Sequence, residues 1–324
     1  MLSCMELGSF NRRHLDDSSG LPLLEPFTTT TARRLGFTLH QLRWLVKQGQ
    51  LWHPIKGVYV NAGLPDTTGL RCEALALVVP GDCVVVDRHA GWLLGAEMVL
   101  APNEHLSAQP ISMFRPAGMG RLRNDLADSG ERNLRPDDIT EVHGLRVTTH
   151  LRTAWDLGRV RSPDKAIAGM DAVMALGAFS RAEFLDGIER FRGMRWMTTL
   201  RTIGPLSDGR AQSPGESVLR LRWIQTHLPT PQPQLEVWRD GILLAILDIA
   251  NEDLRYAAEY DGAEWHSTPA QTAHDLVRRE DVSHEAWLID TFVGADLFGP
   301  HAQAEARLRA GAAQARRLQG RDAG

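Results

Sequence analysis

Two apolar runs near the C-terminal end of the chain carry carboxylates, and they constrain its fold more than any other feature. The runs ILLAILDIA and LRYAAEYDG lie within 242–262 and are separated by a short Asn-Glu-Asp turn. Two runs joined in this way predict a buried antiparallel hairpin. Side chains two positions apart on a strand share a face, so Glu259 and Asp261 are expected to point the same way. Asp248 is expected beside them on the neighbouring strand.

Carboxylates gathered at one sheet edge repel one another, and a hard divalent cation relieves that repulsion. The pattern therefore predicts a site for Mg2+ or Mn2+ with Asp248 and Glu259 as ligands. Four more charged or titratable side chains follow the second run and could act on a substrate held there. They are His266, Asp275, Arg278 and Arg279.

The order of elements around the hairpin predicts an α-β-β-β-α-β core. A helix that opens at Glu216 precedes a strand at 234–238 and a turn at 239–241. The two runs, a helix at 269–286 and a last strand at 287–292 complete the series. The expected fold class is a multidomain α+β or α/β protein.

This pattern resembles the very-short-patch-repair-like domains of the restriction-endonuclease-like class, known from actinobacterial proteins. The matching residues are Glu216, Asp248, Glu259, Asp261, Gly262, His266, Asp275 and Arg278. The resemblance implies metal-dependent phosphodiester cleavage. Glu216 would hold a ligand water or a second ion, and Asp261 would add charge. His266 would act as general acid or base, and Arg278 or Arg279 would pair with Asp261 or a phosphate, with Asp275 in support.

Two departures from the pattern of these nucleases leave a scaffold role open. The lysine of the broader superfamily is absent, since no lysine follows Lys165. Asp290 stands in the last strand where relatives carry an arginine, so a phosphate contact is expected to be lost. The region 214–299 also holds six arginines against fifteen acidic residues, a net charge of about −9 that opposes nucleic-acid binding.

The N-terminal part of the chain has the opposite charge. Residues 21–60 carry five basic residues against one glutamate, a net charge of about +4. A helix ending at Gly36, a second helix capped by Thr38 and a small hairpin around Lys56 predict a winged helix-turn-helix. Leu39, Leu42 and Val46 are expected to form the buried face of the second helix. The polar residues expected to contact DNA are His40, Gln41, Arg43, Trp44, Lys47 and Lys56.

This segment resembles the N-terminal domain of AbiEi-type antitoxins from type IV toxin–antitoxin systems. The matching residues are Thr31, Gly36, Leu42-Arg43, Leu45-Val46 and Gly57-Val58-Tyr59. The resemblance implies double-stranded DNA as one partner and a cognate toxin as another. A small basic domain used for protein contacts is the alternative interpretation. In the α/β middle region, Asp87, Arg88 and His89 are interpreted as the capped, exposed start of a helix and not as catalytic residues.

The expected organisation has six parts. They are a disordered tail (1–20), the winged helix-turn-helix (21–60), an AbiEi-like middle region (61–202), a linker (203–213), the endonuclease-like domain (214–299) and a basic tail (300–324). Three cysteines without a paired framework predict reduced thiols and a cytoplasmic protein. No run approaches the ~18 apolar residues of a membrane span.

Two functions remain open from the sequence. The first is a DNA-binding, Mg2+-dependent endonuclease in toxin–antitoxin or phage-defence biology, for which RNA is a further possible substrate. The second is a non-enzymatic AbiEi-like antitoxin or transcriptional repressor on a degenerate nuclease fold.

Overall fold

The computed structural model describes residues 15, 19–100, 104, 110–123, 126–262 and 286–320. The chain is a mixed α+β protein that divides into two units, Met1–Thr153 and Ala154–Gly324. The tail predicted at 1–20 lies outside the described residues except for three positions. The helix predicted at 269–286 also lies outside them, apart from its last residue.

The first unit contains two sheets and their flanking helices. In chain order its elements are β1 (Phe27–Thr28), α1 (Thr29–Arg34), α2 (Leu39–Lys47), β2 (Leu51–Ile55), β3 (Val58–Asn61), α3 (Thr68–Ala76), β4 (Val84–Val85), α4 (Asp87–Leu93), β5 (Ile111–Pro116), β6 (Ala127–Arg132), β7 (Ile139–Val142) and β8 (Leu145–Thr148). Helix α5 (His150–Gly158) begins in this unit and ends in the next one. The smaller sheet has the order β1-β3-β2 and is antiparallel. The larger sheet has the order β6-β5-β4-β8-β7.

The boundary predicted between residues 60 and 61 does not separate two cores. Ile55 and Val58, from the hairpin β2–β3, belong to the same buried cluster as Cys72, Met113 and Val147 of the region that follows. The hairpin therefore packs on one side against the larger sheet and its helices. Its other side contributes to a second cluster with α1 and α2.

The second unit contains a four-stranded sheet with helices before and after it. Its elements are α6 (Pro163–Met174), α7 (Arg181–Asp186), α8 (Met197–Ile203), α9 (Pro214–Gln225), β9 (Gln232–Arg239), β10 (Ile242–Asn251), β11 (Tyr256–Asp261), β12 (Leu288–Val293), α10 (Gly294–Leu297) and α11 (Ala304–Leu318). The sheet order is β12-β11-β10-β9. β9, β10 and β11 are antiparallel neighbours, whereas β11 and β12 run parallel.

Both predicted hairpins of this unit are present. Asp240 and Gly241 each have positive φ, 51° and 80°, which is the geometry of a type I′ turn between β9 and β10. The turn after β10 is closed by Asn251, whose side-chain oxygen accepts from the backbone N–H of Leu254 at 3.0 Å. The described part of the predicted core, one helix and four strands, is therefore in place.

Two segments differ from their sequence-based interpretation. Residues 203–213 pack against α6 and α9, because Asp171 accepts from the backbone N–H of Asp208 at 2.8 Å and Ser207 is buried. A linker was predicted there from its Gly, Pro and Ser content. The basic tail is largely the helix α11, because Leu308, Ala312 and Ala315 recur at helical spacing and are buried.

Candidate nucleic-acid interface and candidate metal centre

Helix α2 begins with a complete capping box. The hydroxyl of Thr38 accepts from the backbone N–H of Gln41 at 3.2 Å, and the Gln41 side-chain oxygen accepts from the backbone N–H of Thr38 at 2.8 Å. Gly49 follows the C-terminal end of the helix with a φ of +69°, and the N–H groups of Gly49 and Gln50 donate to helix carbonyls. Both ends of the helix are thus fixed by residues whose types, threonine and glycine, mark helix ends in a sequence.

The buried face of α2 differs from the predicted one at two positions, because Leu45 is buried and Leu39 is not. Leu42 and Leu45 are buried, and Val46 is partly buried against them. Leu39 is 36% exposed, because it lies in the first turn beyond the reach of the cluster formed by Phe27, Leu51 and their neighbours. The helix is therefore held to the small sheet through its second and third turns.

The polar residues predicted to contact DNA are all exposed. His40, Arg43, Trp44 and Lys47 lie on the outer side of α2, and 52% of the Trp44 surface is open to solvent. Lys56 lies at the tip of the hairpin β2–β3 beside Gly57, whose φ of +87° makes the tight turn possible. Gln41 differs from the others, because its side-chain oxygen serves the helix cap and only its amide NH2 group points outward as a donor.

The residues at the start of α4 form structural contacts, and of the three that were predicted to be exposed only Arg88 is. The carboxylate of Asp87 accepts two hydrogen bonds from Arg132, at 2.6 and 2.9 Å. Arg88 donates to the carbonyl of Val99 at 2.7 Å. His89 Nδ1 accepts from the backbone N–H of Ser112 at 3.2 Å, and burial lowers its pKa. Asp87 does not cap the helix, since it is the first helical residue and Val86 occupies the cap position.

Three polar residues form a row across the sheet of the second unit. The β10–β11 register pairs Ile249 with Ala258, and its continuation places Asp248 opposite Glu259. The β9–β10 register, which pairs Leu247 with Leu235 and Ile249 with Pro233, places Gln234 opposite Asp248. Beyond the end of the β10–β11 ladder, Asp248 Oδ2 accepts from the backbone N–H of Tyr260 at 2.9 Å.

Glu216 reaches this row from the first turn of α9. The helix is capped by Ser213, whose hydroxyl accepts from the backbone N–H of Glu216 at 3.1 Å. Glu216 Oε2 accepts from the backbone N–H of Gln212 at 2.8 Å and from the side-chain amide of Gln234 at 3.1 Å. Gln212 and Gln234 were missed by the sequence analysis, because a glutamine carries no pattern that marks it as a partner of a distant acid.

The carboxylate of Glu216 interacts electrostatically with Asp248 of the same row. Its side chain is buried, and burial raises the pKa of its carboxyl. The negative charge of Asp248 raises that pKa further, so the two carboxylates are close enough to interact. A bound divalent cation would reverse both effects by stabilising the ionised forms.

Helix α9 is fixed behind Glu216 by one buried and one half-buried ion pair. Arg220, one turn further along α9, pairs with the buried carboxylate of Asp171 of α6 at 2.7 Å. Arg222 pairs with Asp164 of the same helix at 2.6 Å. These contacts hold the first turn of α9, and with it Glu216, in one position relative to α6.

The other predicted site residues fall into two groups. Asp261 is exposed at the end of β11, where its charge adds to burial in raising the pKa of Tyr260. His266, Asp275, Arg278 and Arg279 lie outside the described residues. Within the described ranges, no group of three or more His, Cys, Asp or Glu side chains has the geometry of a metal site. The described part of the candidate centre is thus the strand pair Asp248 and Glu259, with Glu216 nearby.

Asp290, which replaces the arginine of the nuclease pattern, has a structural partner. It accepts a hydrogen bond from the hydroxyl of Tyr256 at 2.8 Å. A guanidinium does reach the same strand from α11, because Arg307 donates to the carbonyl of Thr291 at 2.9 Å and pairs with Asp296. Asp290 is therefore part of the packing between β11, β12 and α11.

Comparison with known proteins shows the family of the chain. Two proteins of Mycobacterium tuberculosis, from the strains Oshkosh and H37Rv, are each 31% identical to this chain over 260 residues, which is 80% of this chain and 92% of the relative. This chain belongs to their family. Both members are described as uncharacterized, so their names assign no activity. The 260 shared residues exceed the length of either unit, so the family extends into both.

No protein-family model matches the chain. The two resemblances therefore depend on the motif residues and on the order of elements. Among the helices that the structure describes, none is long and apolar enough to cross a membrane.

Proposed function

We propose that the protein binds double-stranded DNA through α2 and the hairpin β2–β3. The observation that supports this proposal is the division of α2 into two faces. Leu42 and Leu45 attach it to the small sheet, while Arg43, Trp44 and Lys47 face solvent. A helix held in this way can enter a major groove, and the hairpin beside it can contact the phosphate backbone.

The charge of this region supplies the attraction. Residues 21–60 carry a net charge of about +4, and Arg33 and Arg34 are exposed in the last turn of α1. Each cation that meets a phosphate releases condensed counterions, which favours binding at low salt. Trp44 adds a flat apolar surface beside these cations. Cationic and aromatic side chains on one exposed helix are typical of nucleic-acid interfaces.

Substitution of the two central cations tests the interface. Arg43→Gln with Lys47→Gln should weaken binding of the full chain to a labelled DNA duplex about tenfold or more, measured by fluorescence anisotropy. Arg121→Gln with Arg123→Gln, which also removes two exposed cations from the first unit, serves as the charge control and should change affinity less. Both target residues are exposed, so the circular dichroism spectrum should stay the same. Equal affinity of the double variant and the wild type would refute this interface.

A second activity, divalent-cation-dependent cleavage of a phosphodiester bond, is favoured by a separate observation. The β10–β11 register, continued by one residue, brings Asp248 opposite Glu259, and the charge of Asp248 raises the pKa of Glu216. Carboxylate oxygens are the ligands that Mg2+ and Mn2+ prefer, so this donor set fits such an ion. When bound, the ion would polarise a phosphate and lower the pKa of a water molecule.

The chain's own residues would divide the work of that reaction. Asp248 and Glu259 would hold the ion, and Glu216, fixed by Gln212 and Gln234, would orient a water molecule beside it. Asp261 would add negative charge at the end of β11. His266 would move a proton, and Arg278 or Arg279 would bind a phosphate, with Asp275 in support, as the resemblance to very-short-patch-repair-like domains implies.

Nicking of supercoiled plasmid in Mg2+ or Mn2+ tests the cleavage proposal. Asp248→Asn with Glu259→Gln should abolish nicking while the affinity for duplex DNA stays within about twofold of the wild type. Glu236→Gln with Glu252→Gln, which removes two exposed charges from the same unit, should nick normally. Wild-type protein that never cuts DNA or RNA in any divalent cation would exclude cleavage and favour the non-enzymatic antitoxin or repressor, with a cognate toxin as partner.

A further inference from the structure

A short turn in the second unit concentrates positive charge and an exposed aromatic ring. It spans 192–196, between a 3-10 helix at Ile188–Phe191 and the start of α8. Phe191 and Met197, on either side of the turn, are buried and anchor it. Arg192, Arg195 and Trp196 are exposed between these anchors.

The two guanidinium groups of the turn differ from several other arginines of the same unit, which pair with carboxylates. Arg201 pairs with Glu189, Arg220 with Asp171 and Arg222 with Asp164. In the part of the chain that the structure describes, neither Arg192 nor Arg195 has a carboxylate partner. Arg195 does contact an aromatic ring, because its guanidinium carbon lies 5.0 Å from the centre of the Trp196 ring. Their charge is therefore available to an external anion.

The backbone of Trp196 is in an uncommon conformation. Its φ of +61° lies in the left-handed region, which a bulky residue adopts only when its surroundings fix it there. In this position 37% of the Trp196 surface is open to solvent, although the ring is large and apolar. The turn therefore presents the indole outward instead of adding it to the core.

We infer that Arg192, Arg195 and Trp196 form a binding surface for a single nucleic-acid strand, with phosphates on the two guanidinium groups and a base stacked on the indole. The chemistry is that of single-strand binding sites, where cationic side chains follow the backbone and aromatic rings stack with bases. The Arg195 guanidinium lies over the Trp196 ring, so the cation and the aromatic surface are next to each other. An acidic peptide could use the charges but would leave the indole without a stacking partner.

This surface gives the acidic unit a means of holding its substrate, and the inference rests on the proposed nucleic-acid function. The region 214–299 has a net charge of about −9 and repels phosphates. Cations outside that region, in the same unit, offset the repulsion. The strand bound at the turn is distinct from the duplex bound by α2, so the two interfaces can be tested separately.

The test measures binding of the full chain to a fluorescein-labelled oligothymidylate by anisotropy. Arg192→Gln with Arg195→Gln should weaken binding about tenfold and reduce the slope of log K against log salt by about 1.4, since each phosphate contact on a single strand contributes about 0.7. Trp196→Leu should weaken it about tenfold through loss of stacking, and Trp196→Tyr should largely restore it.

Matched controls separate this surface from simple loss of charge. Arg201→Gln with Arg309→Gln removes two exposed cations that already pair with Glu189 and Glu305, and it should change affinity less than twofold. Arg43→Gln with Lys47→Gln should lose duplex affinity but keep oligothymidylate affinity. These two affinities show whether it is the proposed duplex interface or the proposed single-strand surface that is wrong.

Three outcomes would overturn the inference. The first is that wild-type protein does not bind oligothymidylate. The second is that the arginine pair and both Trp196 variants bind it as the wild type does. The third is that polyglutamate competes with the oligonucleotide equally well at the same charge concentration, which would assign the surface to an acidic protein partner.

Discussion

At the scale of single residues, Gly311 shows how closely α11 packs on the sheet. A Cβ at this position would overlap the carboxylate of Asp290 and the hydroxyl of Tyr256. Gly311→Ala should therefore lower the free energy of unfolding by about 1–3 kcal/mol in urea titrations, although alanine is the better helix former. Ala310→Gly, on the exposed side of the same helix, should cost about 1 kcal/mol through propensity alone. Stabilisation by Gly311→Ala would show that this packing is wrong.

Glu216 gives a prediction about pH. Its pKa is raised, mainly by burial and then by the charge of Asp248. A group whose pKa is higher in the folded state contributes stability that is present below its unfolded pKa and lost as pH rises through its folded pKa. Glu216→Gln should therefore match the wild type below about pH 4 and be more stable above about pH 7.

The measurement is a pair of urea titrations at those two pH values. The amide keeps an oxygen that can accept from the N–H of Gln212, so the substitution should not remove that contact. Glu252→Gln, at an exposed turn of the same unit, should show no such pH dependence. A glutamine variant that is less stable than the wild type at neutral pH would mean that ionised Glu216 is stabilised in the fold.

At the scale of elements, α2 depends on its cap. Thr38→Ala removes the hydroxyl that accepts from Gln41 and should cost about 1 kcal/mol in the free energy of unfolding. Thr38→Ser keeps the hydroxyl and should stay near the wild type. Because α2 carries the proposed DNA contacts, the alanine variant should also weaken duplex binding. Equal stability of the alanine and serine variants would show that the capping box contributes little.

Elements with local signals could be predicted from the sequence. Thr38 and Gly49 mark the ends of α2, and Asp240-Gly241 marks the turn between β9 and β10. Three strands of the larger sheet were not predicted. β4 has two residues, and β6, with the sequence ADSGER, has little strand propensity. Its pairing with β5 comes from tertiary contacts, which no short window of sequence contains.

The candidate site could be predicted only in part, for a similar reason. The acids Asp248, Glu259 and Glu216 were identified because strand alternation and helix position are visible in the sequence. Gln212 and Gln234 were not, since they lie far from those signals and contact Glu216 only through the fold. The role of Asp290 as a partner of Tyr256 was missed for the same reason.

At the scale of the whole molecule, binding of a metal ion should raise the thermal stability of the protein. A ligand that binds only the folded state adds about 2.7 kcal/mol when its concentration is a hundred times its Kd. Mg2+ or Mn2+ should therefore raise the Tm of the wild type, and the shift should disappear in Asp248→Asn with Glu259→Gln. Glu236→Gln with Glu252→Gln should keep it. A Tm shift that is equal in all three proteins would place the ion elsewhere.

The central claim is that cations on α2 hold duplex DNA, and the salt dependence of binding tests it most directly. Log K for a duplex should fall linearly with log salt, with a slope of about −0.9 for each phosphate contacted. Arg43→Gln with Lys47→Gln should make that slope shallower by about 1.8. Binding that stays flat between low and high salt, or a slope that the double variant leaves unchanged, would contradict the account.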